Sequence, residues 1–142
     1  MIEFVSEIPE NEKIGVCCVL IDKWTNKVYL SKRLGAYETN KYAVPGGMVE
    51  PNEDWVSALC RELKEETGIV IKVPHLQYVT IAKHNGAKSN YTVWFKYYLS
   101  ITEEPKNLEP EKHSDWTLFS INDALQLPLM LSTRETFLKY FC

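Results

Sequence analysis

The chain has 142 residues, of which 45% are hydrophobic and 25% are charged. This length and composition are typical of one globular domain with its own core, so we expect a single domain over residues 1–142. The net charge is −3, and the basic residues are scattered instead of forming the positive stripe that a nucleic-acid polymer would need. The N-terminal residues contain no signal-peptide pattern or membrane-spanning run, which favours a cytoplasmic protein without a membrane partner.

An apolar run followed by an alternating run predicts a β-hairpin. Residues Ile14–Ile21 are almost all apolar, Lys27–Lys32 alternate polar and apolar residues, and turn-forming residues lie between them. Cys17 and Cys18 would face opposite sides of a strand, and the cysteines form no CxxC pair of the kind that binds structural zinc. We therefore interpret these cysteines as core residues.

The next segment predicts a strand, a glycine turn and a helix. The short strand Tyr42–Val44 is interrupted by Pro45-Gly46-Gly47. Residues Asn52–Thr67 then repeat apolar residues at helical spacing, and Gly68 is suited to end the helix.

The second half of the chain predicts more strands and two helices. Segments rich in β-branched and aromatic residues are Ile69–Val73, Gln77–Ala82, Tyr91–Ile101 and Trp116–Phe119. The second and third of these would form another hairpin, and the last is followed by helix-start signals at Ser120 and Ser132. Strands with helices at only a few places indicate an α/β fold, here an α/β/α sandwich around a mixed sheet, and not a regular βαβ array.

The predicted helix concentrates carboxylates on its buried side. Glu62, Glu65 and Glu66 fall within about 60° of one direction around the helix axis. The same side holds Trp55, Ala58 and Leu59, and the side expected to face solvent holds Ser57, Cys60, Lys64 and Thr67. A Glu-rich helix is commonly a solvated face with i, i+4 ion pairs, but carboxylates on the apolar side disfavour that interpretation.

Crowded carboxylates on a buried face require a compensating cation or proton. Two carboxylates about 4 Å apart repel by roughly 4 kcal/mol at an effective dielectric constant near 20. Mg²⁺ prefers oxygen ligands and commonly combines one or two carboxylates with substrate phosphates, which fits this pattern better than zinc does. Gly46 and Gly47 before the helix would let the backbone approach a ligand closely and leave carbonyl oxygens free to bind metal.

The segment from Gly47 to Ile69 resembles the Nudix box. Its sequence, GMVEPNEDWVSALCRELKEETGI, matches every specified position of Gly-x5-Glu-x7-Arg-Glu-aliphatic-x-Glu-Glu-x-Gly-aliphatic. The likeness extends over about Ile14–Leu125, where Glu104–Lys112 and the following Trp116 are similar to MutT-type nucleotide pyrophosphatases related to the human thiopurine-nucleotide hydrolase. The resemblance implies a Nudix fold and a hydrolase that uses Mg²⁺, with Mn²⁺ as an alternative.

The resemblance also implies the metal ligands. Glu62 and Glu66 would bind metal, Glu65 would contribute to a further ion, and Gly47 would offer its carbonyl oxygen. Outside the box, Glu111 is either another ligand or an exposed residue of the Pro- and Glu-rich connector Pro105–His113.

Other roles follow from the same resemblance. Glu53 and Arg61 would form a brace that orients the loop and the helix. The general base would be Glu62 or Glu65, acting directly or through bound water. Water would attack phosphorus in line and release a nucleoside monophosphate and pyrophosphate.

Phosphate binding is predicted at the end of the first hairpin. Gly46 and Gly47 offer backbone groups, and Arg33 or Lys32 offers a positive charge near the β- and γ-phosphates. For base stacking, the sequence offers Tyr37, Tyr91 and Trp94, although most aromatic residues fill the core. The resemblance further implies a homodimer.

The sequence is compatible with several classes of substrate. Residues 84–87 lack the Pro and Tyr that mark Nudix hydrolases of ADP-ribose and of dinucleoside polyphosphates, which favours a nucleoside triphosphate, including an oxidised one such as 8-oxo-dGTP. Alternatives are a prenyl diphosphate, a pterin triphosphate, a nucleotide sugar, or a Nudix module that binds nucleotide without catalysis. RNA decapping would need a cationic groove that the sequence does not indicate.

Overall fold

The computed structural model describes residues 2–86 and 88–142, so Met1 and Ala87 lie outside the described residues. The strands in chain order are β1 (Glu3–Val5), β2 (Ile14–Asp22), β3 (Val28–Lys32), β4 (Tyr42–Ala43), β5 (Gly46–Met48), β6 (Gln77–Lys83), β7 (Tyr91–Leu99) and β8 (Thr117–Phe119). The helices are α1 (Trp55–Thr67), α2 (Ile121–Ala124) and α3 (Leu131–Tyr140), and a 3₁₀ turn spans Val73–His75.

The strands form one mixed sheet in the order β1-β6-β7-β2-β3-β4, with β5 paired to β2 and β8 paired to β3. β2 and β7 are parallel, whereas the two predicted hairpins, β2–β3 and β6–β7, are antiparallel. The mixed sheet and both hairpins are therefore confirmed.

Helices cover both faces of this sheet. α1 packs against the side that includes Val16 and Cys18, and α2 and α3 pack against the side that includes Cys17 and Val19. This alternation explains why nearly every residue of β2 is buried. The predicted α/β/α sandwich and the opposite orientation of the two cysteines are confirmed.

Helix α1 begins later than predicted. Asp54 is its N-cap, accepting a hydrogen bond of 2.7 Å from the backbone N–H of Ser57, whereas Asn52 has a φ of 65° and belongs to the preceding turn. At the other end Gly68 adopts the left-handed conformation with a φ of 75° and donates its N–H to Lys64. The predicted end of the helix is confirmed.

Three local predictions are wrong. Ile69–Val73 is not a strand: Ile69 and Ile71 are buried in the core, but the segment pairs with no strand among the described residues. Ser132 does not cap α3, because that helix already begins at Leu131 and has no side-chain cap. Thr67 is buried, because the connector after β7 covers the end of α1 and its Lys106 N–H donates to the Thr67 carbonyl oxygen.

Two short strands have no signal in the sequence. β1 pairs with β6 over only three residues at the sheet edge. β5 consists of Gly46, Gly47 and Met48, residues that indicate a turn, yet it pairs with Gly15–Cys17 of β2. No helix among residues 2–86 and 88–142 has the length and apolar character to cross a membrane.

Candidate active site

The glycines of β5 bring the backbone against β2 and α1. A Cβ atom on Gly46 would lie 2.2 Å from the carbonyl oxygen of Val16, and one on Gly47 would lie 2.2 Å from Cδ of Glu62. Both distances are far below ordinary contact. Gly46 meets backbone, so that position requires glycine, whereas a side chain at Gly47 would have to displace the flexible end of Glu62. The missing side chain of Gly47 provides the space that the Glu62 carboxylate occupies.

Arg61 joins helix α1 to the loop before it. Its Nε and Nη2 donate to the two carboxylate oxygens of Glu53 at 2.9 Å each. Nη2 also donates to the Met48 carbonyl oxygen at 2.9 Å, and Nη1 donates to Glu62 at 2.8 Å. The bonds from Arg61 are the main reason that the pKa of Glu53 falls from 4.5 to about 2. The Glu53–Arg61 pair that the resemblance implies is present, and it orients Glu62.

Glu66 lies one turn beyond Glu62 and is more deeply enclosed. It accepts a hydrogen bond of 2.9 Å from the backbone N–H of Gly46. Burial nevertheless raises its pKa from 4.5 to about 8, and the nearby carboxylates of Glu62 and Glu109 contribute to the rise. Burial also raises the pKa of Glu62. Both groups therefore lie where negative charge is costly without a cation.

The connector between β7 and β8 completes the site by capping the end of α1. Leu108 N–H and Trp116 Nε1 both donate to the carbonyl oxygen of Glu66 at 3.4 Å, a helix-end group that has no partner within the helix. The chain then turns at Glu109, whose carbonyl oxygen accepts from the N–H groups of Lys112 and His113. This turn brings Glu109 and His113 towards Glu66.

The three residues Glu66, Glu109 and His113 form a cluster able to hold a metal ion. Each offers one ligand atom, and these atoms all lie within 4.8 Å of one another. His113 is buried and its ring packs on Trp116 at 4.7 Å. Glu109 also accepts a bond of 3.0 Å from Lys112 Nζ. The donor set of carboxylates and one imidazole fits a divalent cation.

A cavity of about 650 Å³ extends from these carboxylates. Its size is typical of small-ligand sites. Basic residues in its wall are Arg33, Lys88 and Lys112; aromatic and hydroxyl-bearing residues include Tyr37, Trp94, Trp116, Ser31 and Thr133. Cys17 and Trp94 also belong to the core beneath α3, so the cavity reaches from the α1 side to the α3 side of the sheet.

Half of the ten predicted site residues line this cavity. Gly46, Gly47, Glu62, Glu66 and Arg33 do so. Arg33 Nε donates to the Tyr37 carbonyl oxygen at 3.0 Å, and its guanidinium lies 5.5 Å from the centre of the Tyr37 ring.

Five predicted site residues do not line the cavity, namely Lys32, Glu53, Arg61, Glu65 and Glu111. Glu53 and Arg61 form the ion pair behind Glu62. Lys32 is absent from its wall although Ser31 and Arg33 on either side are present, as expected for alternating strand residues. Glu65 is 53% exposed and lies 3.8 Å from Arg61. Glu111 is exposed, whereas Glu109, two residues earlier, lines the cavity.

Glu109 and His113 are site residues that no sequence pattern singled out. Both lie in or next to the segment Glu104–Lys112 that carries the resemblance, but a spacing pattern does not show which of its glutamates faces α1. That choice depends on the turn in which the Glu109 carbonyl oxygen accepts from Lys112 and His113. A four-residue separation between Glu109 and His113 is the one signal that would have paired them.

The sequence matches the NUDIX domain over residues 11–141. The chain belongs to the Nudix family. It is 26% identical to the 8-oxo-dGTP diphosphatase of Escherichia coli over 112 residues, which are 78% of this chain and 85% of that protein. It is 44% identical to the 8-oxo-dGTP diphosphatase of Buchnera aphidicola over 54 residues, 37% of this chain and 42% of that relative, so this match spans less than half of that relative.

The fold is also that of a solved MutT-type Nudix structure. The MutT NUDIX hydrolase from Burkholderia pseudomallei superposes with a TM-score of 0.79 at 25% identity, covering 92% of this chain and 98% of that one. The expected Nudix fold and the MutT-type resemblance are confirmed.

Proposed function

We propose that the protein is a metal-dependent pyrophosphohydrolase that converts a nucleoside triphosphate to the monophosphate and pyrophosphate. The observation that carries the proposal is the placement of Glu62, Glu66 and Glu109 together in the wall of a cavity of nucleotide size. The names of the two diphosphatase relatives favour an oxidised or modified base, such as that of 8-oxo-dGTP, as the preferred substrate.

The residues present fit a divalent cation, for which we propose Mg²⁺ or Mn²⁺. Glu62 and Glu66 would hold it together with the carbonyl oxygen of Gly47, and Glu109 would replace Glu111 as the ligand from the connector. When bound, the cation would offset the repulsion among these carboxylates and polarise phosphoryl oxygens.

In the proposed reaction a water oxygen bonds to phosphorus as the bond to the leaving pyrophosphate oxygen breaks. Glu62 accepts the proton of the attacking water, and Arg61 holds Glu62 in place through the bond of 2.8 Å. The leaving pyrophosphate carries the negative charge, which Arg33, Lys88 and Lys112 in the cavity wall would stabilise. Glu65 has no assigned step, because its side chain is largely in solvent.

The base would bind at the α3 side of the cavity. Trp94 is almost fully buried there, and its indole N–H has no hydrogen-bond partner among residues 2–86 and 88–142. A buried donor without a partner is costly, so a carbonyl oxygen of a bound base would satisfy it. The hydroxyl groups of Ser31 and Thr133 offer further hydrogen bonds in the same wall.

The test is pyrophosphate release, with Mg²⁺ or Mn²⁺, across a panel of normal and oxidised nucleoside triphosphates. We expect turnover of at least one nucleoside triphosphate and loss of turnover with a chelator. Parallel assays with a prenyl diphosphate, a pterin triphosphate and a nucleotide sugar separate the alternative substrates. Binding of nucleotides without turnover of any compound would reject catalysis in favour of a nucleotide-binding module.

A further inference from the structure

The connector contributes an imidazole nitrogen, from His113, to the carboxylate cluster. A site that binds only Mg²⁺ does not need a nitrogen ligand. We propose that Glu66, Glu109 and His113 form a site for a transition-metal dication, with the His113 imidazole as the ligand that favours such an ion over Mg²⁺. The inference rests on the metal site of the proposed function, with which it shares Glu66 and Glu109, but the binding of the ion is tested without any nucleotide.

The separation of the ligand atoms suits one ion. They lie within 4.8 Å of one another in the structure. Metal bonds to nitrogen and oxygen of about 2.1 Å place opposite ligands about 4.2 Å apart, so small side-chain rotations suffice to close the site. The side chains themselves are enclosed, because Glu66 and Glu109 are only partly accessible and His113 is buried.

The hydrogen bonds of His113 leave one ring nitrogen free to bind metal. Nδ1 lies 3.1 Å from the Ser114 carbonyl oxygen, which can only accept, so Nδ1 donates and Nε2 is the nitrogen that offers a lone pair in the neutral ring. Nε2 is buried and has no hydrogen-bond partner in the described part of the chain. An unpartnered buried acceptor is costly, and a cation beside Glu66 and Glu109 would satisfy it.

The surrounding residues fix the position of the ring. Asn107 Nδ2 donates to the His113 carbonyl oxygen at 3.0 Å, and the backbone of His113 forms a β-bridge with Arg33. Trp116 packs against the imidazole with ring centres 4.7 Å apart. A backbone carbonyl on one ring nitrogen and a metal on the other is the usual arrangement of a metal-binding histidine.

The chemistry of the ligands predicts the preference. Mg²⁺ binds oxygen almost exclusively, whereas imidazole suits ions such as Co²⁺ and Zn²⁺. Loss of the imidazole should therefore weaken binding of Co²⁺ much more than binding of Mg²⁺, because Glu66 and Glu109 would still serve the oxygen-seeking ion.

The experiment uses Co²⁺ and Mg²⁺ as probes of the metal-free protein, by calorimetric titration and by the visible absorption band of bound Co²⁺. For His113→Phe we expect Co²⁺ affinity to fall at least ~10-fold and the band to shift, with less than ~3-fold change in Mg²⁺ affinity. Phe preserves the ring packing on Trp116. If this variant does not unfold cooperatively, His113→Gln takes its place in the same titrations.

His84 provides a matched control. It also lines the cavity and is half-buried, but its Nε2 is already engaged with Thr92 Oγ1 at 2.7 Å. We expect His84→Phe to leave Co²⁺ affinity and the absorption band unchanged. An unaltered ratio of Co²⁺ to Mg²⁺ affinity in the His113 variant, or the same loss in the His84 variant, would overturn the proposal.

The outcome is separable from that of the proposed function. Co²⁺ binding that depends on His113 in a protein that hydrolyses no nucleotide would support the metal site and reject the activity. If the protein turns over nucleotide with Mg²⁺ but its Co²⁺ binding does not depend on His113, the activity is supported and the metal site is rejected.

Discussion

The two sides of the carboxylate cluster are built differently. On the α1 side, Arg61 bonds both oxygens of Glu53 and one of Glu62. On the connector side, His113 Nε2 has no partner within the described residues, and Glu109 pairs with Lys112, whose side chain is 64% exposed. The α1 side is thus held by short, partly buried, charge-assisted bonds, and the connector side keeps ligand atoms available.

This difference separates positioning from binding. Partly buried bidentate bonds fix geometry well, whereas an exposed ion pair contributes little stability and exchanges readily. We infer that disturbing the α1 side changes the catalytic geometry, and that disturbing the connector side changes which ion is held. Variants of Glu62, Gly47, Glu53 and Asp54 test the α1 side of this division.

Glu62→Gln should have the largest effect. The amide cannot accept a proton from water and binds a cation weakly, so we expect turnover to fall by at least ~10²-fold while the fold survives. Steady-state pyrophosphate release measures the change, and thermal unfolding checks the fold. Glu65→Gln is the matched control on the same helix, with an expected change of no more than a few-fold because Glu65 is 53% exposed. Equal losses in both variants would contradict the assignment.

Gly47→Ala should misplace Glu62 without removing it. The added Cβ would lie 2.2 Å from Cδ of Glu62, and the carboxylate is the flexible end that must move. We expect kcat/KM to fall roughly 10- to 100-fold, the size expected when a reacting group shifts by about 1 Å, with a smaller effect on thermal stability. Gly35→Ala is the control, because Gly35 also lines the cavity but a Cβ there meets nothing within 4 Å. A Gly47 variant with full activity would show that the position of Glu62 is not critical.

How much of each side of the carboxylate cluster could be predicted depends on how far apart in the sequence its interacting residues lie. The α1 side depends on residue spacing along one helix and on the glycine that ends this helix. The positions of Glu62, Glu66 and Gly68 could therefore be predicted from the sequence. The length and pairing of β5 did not follow, because they depend on the space that β2 leaves for a residue without a Cβ atom.

The connector side depends on contacts between distant segments. Glu109 and Glu111 are the same type of residue two positions apart. Only the turn determines which one faces α1. Burial of Thr67 likewise comes from Lys106, far along the chain. Periodicity within a helix cannot report the contact that buries Thr67, and the resemblance that makes Glu111 a candidate ligand does not show which glutamate faces α1.

Glu53→Gln should alter the acid stability of the α1 side. The pKa of Glu53 is about 2 in the folded protein against an ordinary 4.5, mainly because of the bonds from Arg61. A lowered pKa stabilises the fold fully above pH 4.5, and this contribution is lost as the pH falls from 4.5 towards 2. We expect the melting temperature of the native sequence to fall more steeply than that of the variant over this interval, in metal-free buffer.

The control for this measurement is Glu50→Gln. Glu50 is 64% exposed and lies 3.7 Å from Arg61, so its removal should leave the acid slope nearly unchanged. Parallel slopes for the native protein and the Glu53 variant would show that the Arg61 pair contributes nothing to folding.

Asp54→Ala should have the smallest effect and tests whether loosening α1 away from Glu62 matters for catalysis. The variant removes the N-cap bond of 2.7 Å to the Ser57 N–H, which should lower the free energy of unfolding by about 1 kcal/mol. Because Arg61 still ties Glu62 to Glu53, we expect kcat to stay within about twofold, the scatter of a site whose bonds are intact. Ser120→Ala removes the equivalent cap of α2, a bond of 3.0 Å from the Asp123 N–H, away from the carboxylates. If kcat falls in the Asp54 variant but not in the Ser120 variant, the start of α1 helps to position Glu62, and the Arg61 network alone does not fix the α1 side of the site.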